Sequence, residues 1–97
     1  MKYNVVFSNI ANKDLEEILN FYSTFTNQNF LIDLVNLIYF KAESLNILPE
    51  RFRIFKWKIR FFCFEKNFKM FYEINKNKKE VIILKVKLSS QDDSNFF

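Results

Sequence analysis

The segment from Pro49 to Leu88 constrains the fold of this chain more than any other feature. It contains three runs in which apolar and polar side chains largely alternate, at 55–63, 68–74 and 81–88, and short breaks separate them. Alternation with a period of two residues predicts β-strands that bury one face and expose the other. Pro49 disfavours the continuation of a helix that precedes it. The C-terminal half is therefore predicted to form a sheet.

The N-terminal half predicts one strand and two helices. Lys2 to Phe7 alternates like a strand, Ser8 or Asn9 can cap a helix, and apolar residues then recur at helical spacing from Leu15. A second helix is predicted from about Phe30 to Asn46, with an apolar stripe formed by Leu31, Leu34, Val35, Ile38, Ala42 and Leu45.

The predicted order of elements is β-α-α-β-β-β. We expect a single domain over residues 1–97 with a short C-terminal tail at 89–97. The fold class is α+β, in two layers: two helices pack on one face of a mostly antiparallel four-stranded sheet.

Positive charge is concentrated in the predicted sheet. Residues 1–50 carry three Lys and six Asp or Glu, whereas residues 51–87 carry twelve Lys or Arg and three Glu. This asymmetry favours a polyanion or an acidic protein as partner. A solvated, lysine-rich surface without a partner is the simpler alternative.

Several residue types are missing, and their absence excludes classes of site. The chain has no His and one Cys, so we expect no metal site and no cofactor. It has no Gly, which excludes glycine-rich phosphate loops. The single Cys63 and the lack of a signal-peptide or membrane-spanning pattern predict a cytoplasmic protein.

The alternation assigns side chains to the two sheet faces. In the first run, Phe55, Trp57, Ile59, Phe61 and Cys63 are predicted to face the core. In the second run the predicted core residues are Phe68, Met70, Tyr72 and Ile74, and in the third they are Ile82, Leu84, Val86 and Leu88. The outer face is then a candidate surface for phosphate or another target, because cations bind phosphate and exposed aromatic rings stack on bases. Its predicted residues are Lys56, Lys58, Arg60, Lys69, Lys85 and Lys87, with Phe62 and Phe71 among them. The alternative for both phenylalanines is that they pack under the C-terminal tail.

An ordered set of residues resembles the RelE/ParE family of bacterial type II toxins. The set comprises Tyr3 to Ser8, Ala11, Asp14 to Ile18, Tyr22, Leu48-Pro49, Ile59-Arg60, Phe68 to Ile74 and Val81 to Val86. The end of the chain departs from the family pattern: Leu88 stands where His is common, and Gln91 lies near a common Arg.

The resemblance implies a growth-inhibiting toxin. A cognate antitoxin would neutralise it by forming a hetero-oligomer with it. The lost acid–base groups favour a ParE-like or catalytically weakened toxin, with DNA gyrase as a possible target. The alternative is a RelE-like endoribonuclease that cuts mRNA on the ribosome, so enzymatic activity stays open. Its candidate catalytic residues are Arg60, Lys58, Lys85, Lys87 and Glu73. A basic nucleic-acid-binding module outside the family is a further alternative.

The second helix offers a candidate antitoxin site. Leu37 and Phe40 widen its apolar stripe beyond what one buried face requires. We expect an antitoxin segment to pack along this helix and to extend toward the basic sheet.

Overall fold

The computed structural model describes residues 2–65 and 67–88, which form two helices and a five-stranded sheet. The strands are β1 (Asn4–Phe7), β2 (Ile54–Lys56), β3 (Ile59–Phe64), β4 (Phe68–Asn75) and β5 (Glu80–Leu88). Their order in the sheet is β1-β5-β4-β3-β2. β1 pairs with β5 in parallel, and the other neighbours are antiparallel. The tail at 89–97 lies outside the described residues.

The two helices begin at polar caps. α1 (Asn9–Ser23) starts after Ser8, whose Oγ accepts the backbone N–H of Ala11 and donates to the carbonyl of Leu84 on β5. α2 (Gln28–Glu43) starts after Asn27, which accepts the N–H of Phe30. A short 3-10 turn, Ser44–Asn46, then continues α2 and buries Leu45. The helical segment therefore ends where the sequence predicts.

The core lies between the helices and one face of the sheet. Its helix side consists of Ala11, Leu15, Ile18, Leu34, Ile38, Ala42 and Leu45. Its sheet side consists of Phe62, Phe64, Phe68, Met70, Tyr72, Val81, Ile83 and Val86. The predicted two-layer α+β architecture is confirmed, with one strand more than predicted. We call the sheet face opposite the helices the second face.

The predicted faces of the first run are wrong. Phe62 belongs to the core, so Phe61 and Cys63 lie on the second face, and Cys63 is exposed. The run is also two strands, because a turn at Trp57 and Lys58 separates β2 from β3. Trp57 has a φ of 52° in this turn and is 71% exposed rather than buried. No Gly, Asn or Pro marks the turn in the sequence.

The third run is correct only in its second half. Tyr72 pairs with Ile83 and Phe71 with Lys85, so Leu84 is an extra residue in β5. This β-bulge changes the alternation, because two residues of one strand face one residue of the other. Val81 and Ile83 therefore face the helices before the bulge, and Val86 does so after it.

Candidate functional site

The structure divides the predicted basic face into two places. Lys69, Phe71 and Lys87 lie on the second face, since Lys69 pairs with Lys87 and Phe71 alternates with core residues of β4. Arg60 shares its side of β3 with Phe62 and lies at the end of the core. The predicted placement of Arg60 and Phe62 on the outer face is therefore wrong.

Phe71 is covered on the second face. Its ring stacks on Phe61 with centroids 5.6 Å apart, and Phe55 meets it edge-on at 5.1 Å. Phe71 is fully buried, and Phe62 is 8% exposed in the core. Neither ring is available to stack on a base, so this part of the predicted surface is corrected. The residues that cover Phe71 include Phe55 and Phe61, and Phe62 packs in the core. The predicted cover by the C-terminal tail lies outside the described residues.

The predicted target-binding lysines of β4 and β5 differ in exposure and partners. Lys69 is half-buried and Lys87 is 5% exposed, although the two are cross-strand neighbours. The Lys85 ammonium lies 3.2 Å from an oxygen of the Asp14 carboxylate on α1. Asp14 also accepts the backbone N–H of Val86, so it ties α1 to the edge of β5. Lys85 is therefore part of a contact between helix and sheet.

Arg60 holds the turn that precedes β2. Its Nη1 donates to the carbonyl oxygens of Glu50 at 3.1 Å and Phe52 at 2.7 Å. The hydroxyl of Tyr72 donates to the carbonyl of Pro49, and Arg51 donates to Ile47 and Leu48 in the same turn. The turn contains Leu48 in a left-handed conformation, with φ 51°. Three side chains therefore fix a segment whose backbone is strained.

Tyr72 is unsuited to acid–base chemistry near neutral pH. Burial raises the pKa of its phenol to about 12, and the nearby Arg60 opposes this shift only in part. The phenol is thus protonated at neutral pH and its hydrogen is donated to Pro49. The sequence placed Tyr72 on the core face, and the structure confirms that placement.

The strongest candidate site is a cleft at one end of the sheet. It has a volume of about 600 Å³ and lies between the β2–β3 turn and the β4–β5 turn. We call it the end cleft; its lining residues are Glu50, Ile54, Trp57, Lys58, Arg60, Glu73, Ile74, Asn75, Lys76 and Asn77. Lys58, Arg60 and Glu73 are candidates from the sequence that the structure brings together.

The end cleft also contains Lys76 and Glu50, which were not predicted as site residues from the sequence. Lys76 and Glu50 form an ion pair at 3.3 Å, and both side chains are well exposed. Lys56, a residue predicted from the sequence, contacts Trp57 of the lining, with its ammonium 4.7 Å from the ring centroid. The lining contains three cations, Lys58, Arg60 and Lys76, together with the indole of Trp57, and this set suits an anion with an aromatic part. In the sequence, Lys76 could be noticed only as part of a polar turn at 75–78. That turn and Trp57 line the same cleft only in the folded chain.

A second candidate surface lies between the helices and the β3–β4 turn. This groove has a volume of about 310 Å³; its lining residues are Tyr22, Phe30, Asp33, Leu34, Leu37, Glu65, Asn67 and Phe68. Phe30 of the lining is 44% exposed, and Phe21 and Phe25, which pack against Tyr22 of the lining, are 53% and 62% exposed. We call it the aromatic groove. Leu37 lines it, whereas Phe40 is 70% exposed and is not part of its lining.

Two further searches of the described residues concern other classes of site. Residues 2–65 and 67–88 contain no cluster of three or more His, Cys, Asp or Glu side chains arranged to hold a metal ion. In the same part of the chain, neither helix is long and apolar enough to cross a membrane.

No protein-family model and no curated protein matches this chain. Solved structures do match it along most of its length. A chain of the chromosomal ParDE toxin–antitoxin system of P. aeruginosa is similar with a TM-score of 0.77 and 15% identity, over 90% of this chain and 96% of that one.

RelE proteins are similar as well. A chain of the RelBE2 toxin–antitoxin complex of Mycobacterium tuberculosis gives a TM-score of 0.65 and 19% identity, over 94% of this chain and 95% of that one. The isolated RelE toxin of E. coli gives a TM-score of 0.55 and 13% identity, over 95% of this chain and 89% of that one. At these identities the similarity establishes the fold. The resemblance seen in the sequence is thus confirmed in three dimensions: this chain has the fold of the RelE and ParE toxins.

Proposed function

We propose that this protein is the toxin component of a type II toxin–antitoxin system, ParE-like or catalytically weakened, and that a cognate antitoxin neutralises it by binding. The observation that carries the proposal is the similarity to a chain of a ParDE system over 90% of this chain and 96% of that one. Its proposed place of action is the cytoplasm, where its possible targets are.

Features of the candidate residues support a binding toxin over a nuclease. Cleavage of RNA requires groups that remove and supply protons. The sequence has no His, and the phenol of Tyr72 has a pKa of about 12. Lys85 pairs with Asp14, and Lys87 is buried. These residues are therefore poorly placed for acid–base work at a solvent-accessible phosphate.

The RelE-like alternative rests on the end cleft. Arg60 and Lys58 would hold the phosphate there, and Glu73 would act as base, because all three line the same cavity. This alternative draws on the similarity to the isolated RelE toxin, whose TM-score of 0.55 is lower than the 0.77 of the ParDE chain. The cleft thus supplies a phosphate-binding group more readily than a matched acid and base.

Two reactions distinguish these functions. The purified chain is added to a DNA gyrase supercoiling reaction and, separately, to a translating ribosome reaction with a defined mRNA. We expect inhibition of supercoiling and intact mRNA. Ribosome-dependent cleavage without any effect on gyrase would favour the RelE-like alternative. Binding of nucleic acid with neither effect would favour the basic module.

The aromatic groove is the proposed antitoxin site. Exposed Phe30 and half-buried Leu37 line it, and exposed Phe21 and Phe25 contact Tyr22 of its lining. An apolar antitoxin segment would bury these rings, while acidic residues of the same antitoxin would reach the basic sheet. The contribution of Phe40 stays a prediction, since it lies on α2 outside the groove lining.

Phe30→Asp is expected to weaken antitoxin binding at least tenfold. The substitution places a charge in the apolar groove, yet it lies near the N-terminus of α2, where a carboxylate favours the helix. Affinity is measured by calorimetry with the product of the adjacent gene. Ile10→Asp is the matched control, because Ile10 is also an exposed apolar residue in the first turn of a helix, but that helix is α1 and Ile10 does not line the groove. Equal affinities for wild type and both variants would contradict the groove assignment.

A further inference from the structure

We propose that two copies of this chain associate through the exposed side of α2, with Phe40 of each copy seated in the aromatic groove of the other. The two α2 helices then form a symmetric, antiparallel pair. The proposal goes beyond the toxin role and does not rest on it, because it concerns the chain by itself. The observations that carry it are the exposure of Phe40, the position of the groove and the charges along α2.

Phe40 is the most exposed of the large apolar side chains of α2. It is 70% exposed, whereas Leu34 and Ile38 of the same helix are buried in the core. It does not line the aromatic groove of its own chain. A single exposed ring is common, but Phe40 shares its side of α2 with Leu37 and Phe30, at spacings of three and seven residues. Together they form a continuous apolar strip, and such a strip indicates a surface that a partner covers.

The strip and the groove lie at matching levels on either side of Leu37. In an antiparallel pair centred on Leu37 of both copies, a residue that follows Leu37 lies level with the residue that precedes it by the same number in the other copy. Phe40 therefore lies level with Leu34 of the second copy, and Leu34 lines the aromatic groove there. Two-fold symmetry makes this contact twice, once in each groove.

The aromatic groove suits a phenyl ring. Its volume is about 310 Å³, and its lining includes the rings of Tyr22, Phe30 and Phe68. The ring centroids of Tyr22 and Phe30 lie 5.7 Å apart, and those of Tyr22 and Phe68 lie 6.3 Å apart. These separations are typical of favourable aromatic pairs. An inserted Phe40 ring adds another aromatic contact and removes apolar surface of both copies from water.

The charges of α2 favour the antiparallel orientation. Asp33 and Lys41 lie four residues before and four residues after Leu37, which is about 6 Å along the helix axis in each direction. In the antiparallel pair, Asp33 of each copy is level with Lys41 of the other, so opposite charges meet twice. A parallel pair would place like charges level with each other. The charges therefore select the orientation, while the apolar strip supplies most of the affinity.

We expect a weak dimer, because only one helix of each copy takes part. A single helix pair with two inserted rings buries less surface than the interfaces of stable complexes. The dimer should form at high micromolar concentration and dissociate at low micromolar concentration, so unfolding measured at low concentration reports on the monomer. An antitoxin segment in the same groove would exclude the second copy. That competition, unlike the dimer itself, rests on the proposed function.

Sedimentation equilibrium of the purified full chain tests the proposal, and it requires neither an antitoxin nor a toxicity assay. We expect the average mass to rise from that of one chain at low micromolar concentration toward that of two at high micromolar concentration. It should rise no further, since a two-fold interface is closed. A monomer over the whole range, or growth into ever larger assemblies, would overturn the proposal.

Phe40→Asp is expected to raise the dissociation constant of the dimer at least tenfold, because it places a charge where the apolar ring enters the groove. Ile32→Asp is the matched control. Ile32 is an exposed apolar residue of the same helix, but it lies five residues before Leu37 and therefore on another side of α2. Unchanged association of Phe40→Asp, with circular dichroism confirming that it is folded, would overturn the proposal.

A charge swap tests the antiparallel orientation. Asp33→Lys and Lys41→Glu should each weaken the dimer, because each places two like charges level with each other. The variant that carries both substitutions should associate as tightly as the wild type, since opposite charges then meet again. Loss of stability alone cannot produce this recovery. Weaker association of the double variant than of either single variant would contradict the antiparallel pair.

Discussion

Phe71→Ala is expected to lower the free energy of unfolding by about 3–5 kcal/mol, the usual cost of removing a fully buried phenylalanine ring. Phe71 has no exposed surface, and its ring contacts those of Phe55 and Phe61 on the second face. Truncation removes these contacts and leaves a cavity that a β-sheet cannot easily close. Denaturant unfolding, followed by circular dichroism, measures the change.

Phe40→Ala is the matched control for Phe71→Ala. The same ring is removed, but Phe40 is 70% exposed on α2, so the free energy of unfolding should change by less than about 0.5 kcal/mol. Equal stabilities of the two variants would contradict the burial of Phe71. They would favour the surface role that the sequence predicts for it, in which the ring stacks on a base.

Arg60→Ala is expected to lower the free energy of unfolding by about 1.5–3 kcal/mol, because a charged donor then no longer binds its acceptors. The bonds lost are those from Nη1 to the carbonyls of Glu50 and Phe52. Arg60→Lys should restore only part of the stability, since an ammonium lacks the planar fork of the guanidinium. Denaturant midpoints of the three proteins provide the measurement.

Lys58→Ala is the control for Arg60→Ala. Lys58 is exposed and lines the same cleft two residues earlier, so its removal should leave stability within about 0.5 kcal/mol of wild type. The sequence alone predicts that Arg60 lies mid-strand on an open face and that its removal barely affects folding. An unchanged midpoint for Arg60→Ala would support that prediction and contradict the role of Arg60 in holding the turn.

The helices and the order of elements were predictable because each helix has one strongly apolar side. Leu15 and Ile18 on α1, and Leu34, Ile38 and Ala42 on α2, recur at helical spacing and are all buried. Polar caps at Ser8 and Asn27 mark the starts. The spacing of apolar residues along a helix and the capping residue at its start are both local features of the sequence. They can therefore be recognised without knowledge of the tertiary structure.

The sheet faces could not be predicted in full, because β3 is apolar on both sides. Its residues 61–64 read Phe-Phe-Cys-Phe, so alternation does not reveal which set faces the helices. The second face has aromatic packing of its own around Phe71, which requires apolar residues there too. The turn at Trp57 and the bulge at Leu84 add to the difficulty, since neither contains a residue typical of turns.

The end cleft was predictable only in part. Lys58 and Arg60 stand out in the sequence as cations beside aromatic residues, but Glu50 and Lys76 are 26 positions apart and meet only in the folded chain. The contact between Asp14 and Lys85 is likewise non-local, and it removes a predicted target-binding lysine from the open surface. The number of cations in the sequence predicts the sign of the charge on a surface. The ion pairs formed in the fold decide which of these cations can bind a ligand.

Viable counts after induced expression test the central claim most directly. The chain is expressed from a repressible promoter in a bacterial host, alone and together with the adjacent reading frame of its genome. We expect colony counts to fall by at least a hundredfold when it is expressed alone and to recover when the adjacent gene is co-expressed. Phe30→Asp, which is designed to weaken antitoxin binding, should remain toxic in the co-expressing strain, whereas Ile10→Asp should be neutralised. Undiminished counts for the chain expressed alone, with the folded protein present at the level of the co-expressing strain, would contradict a toxin function.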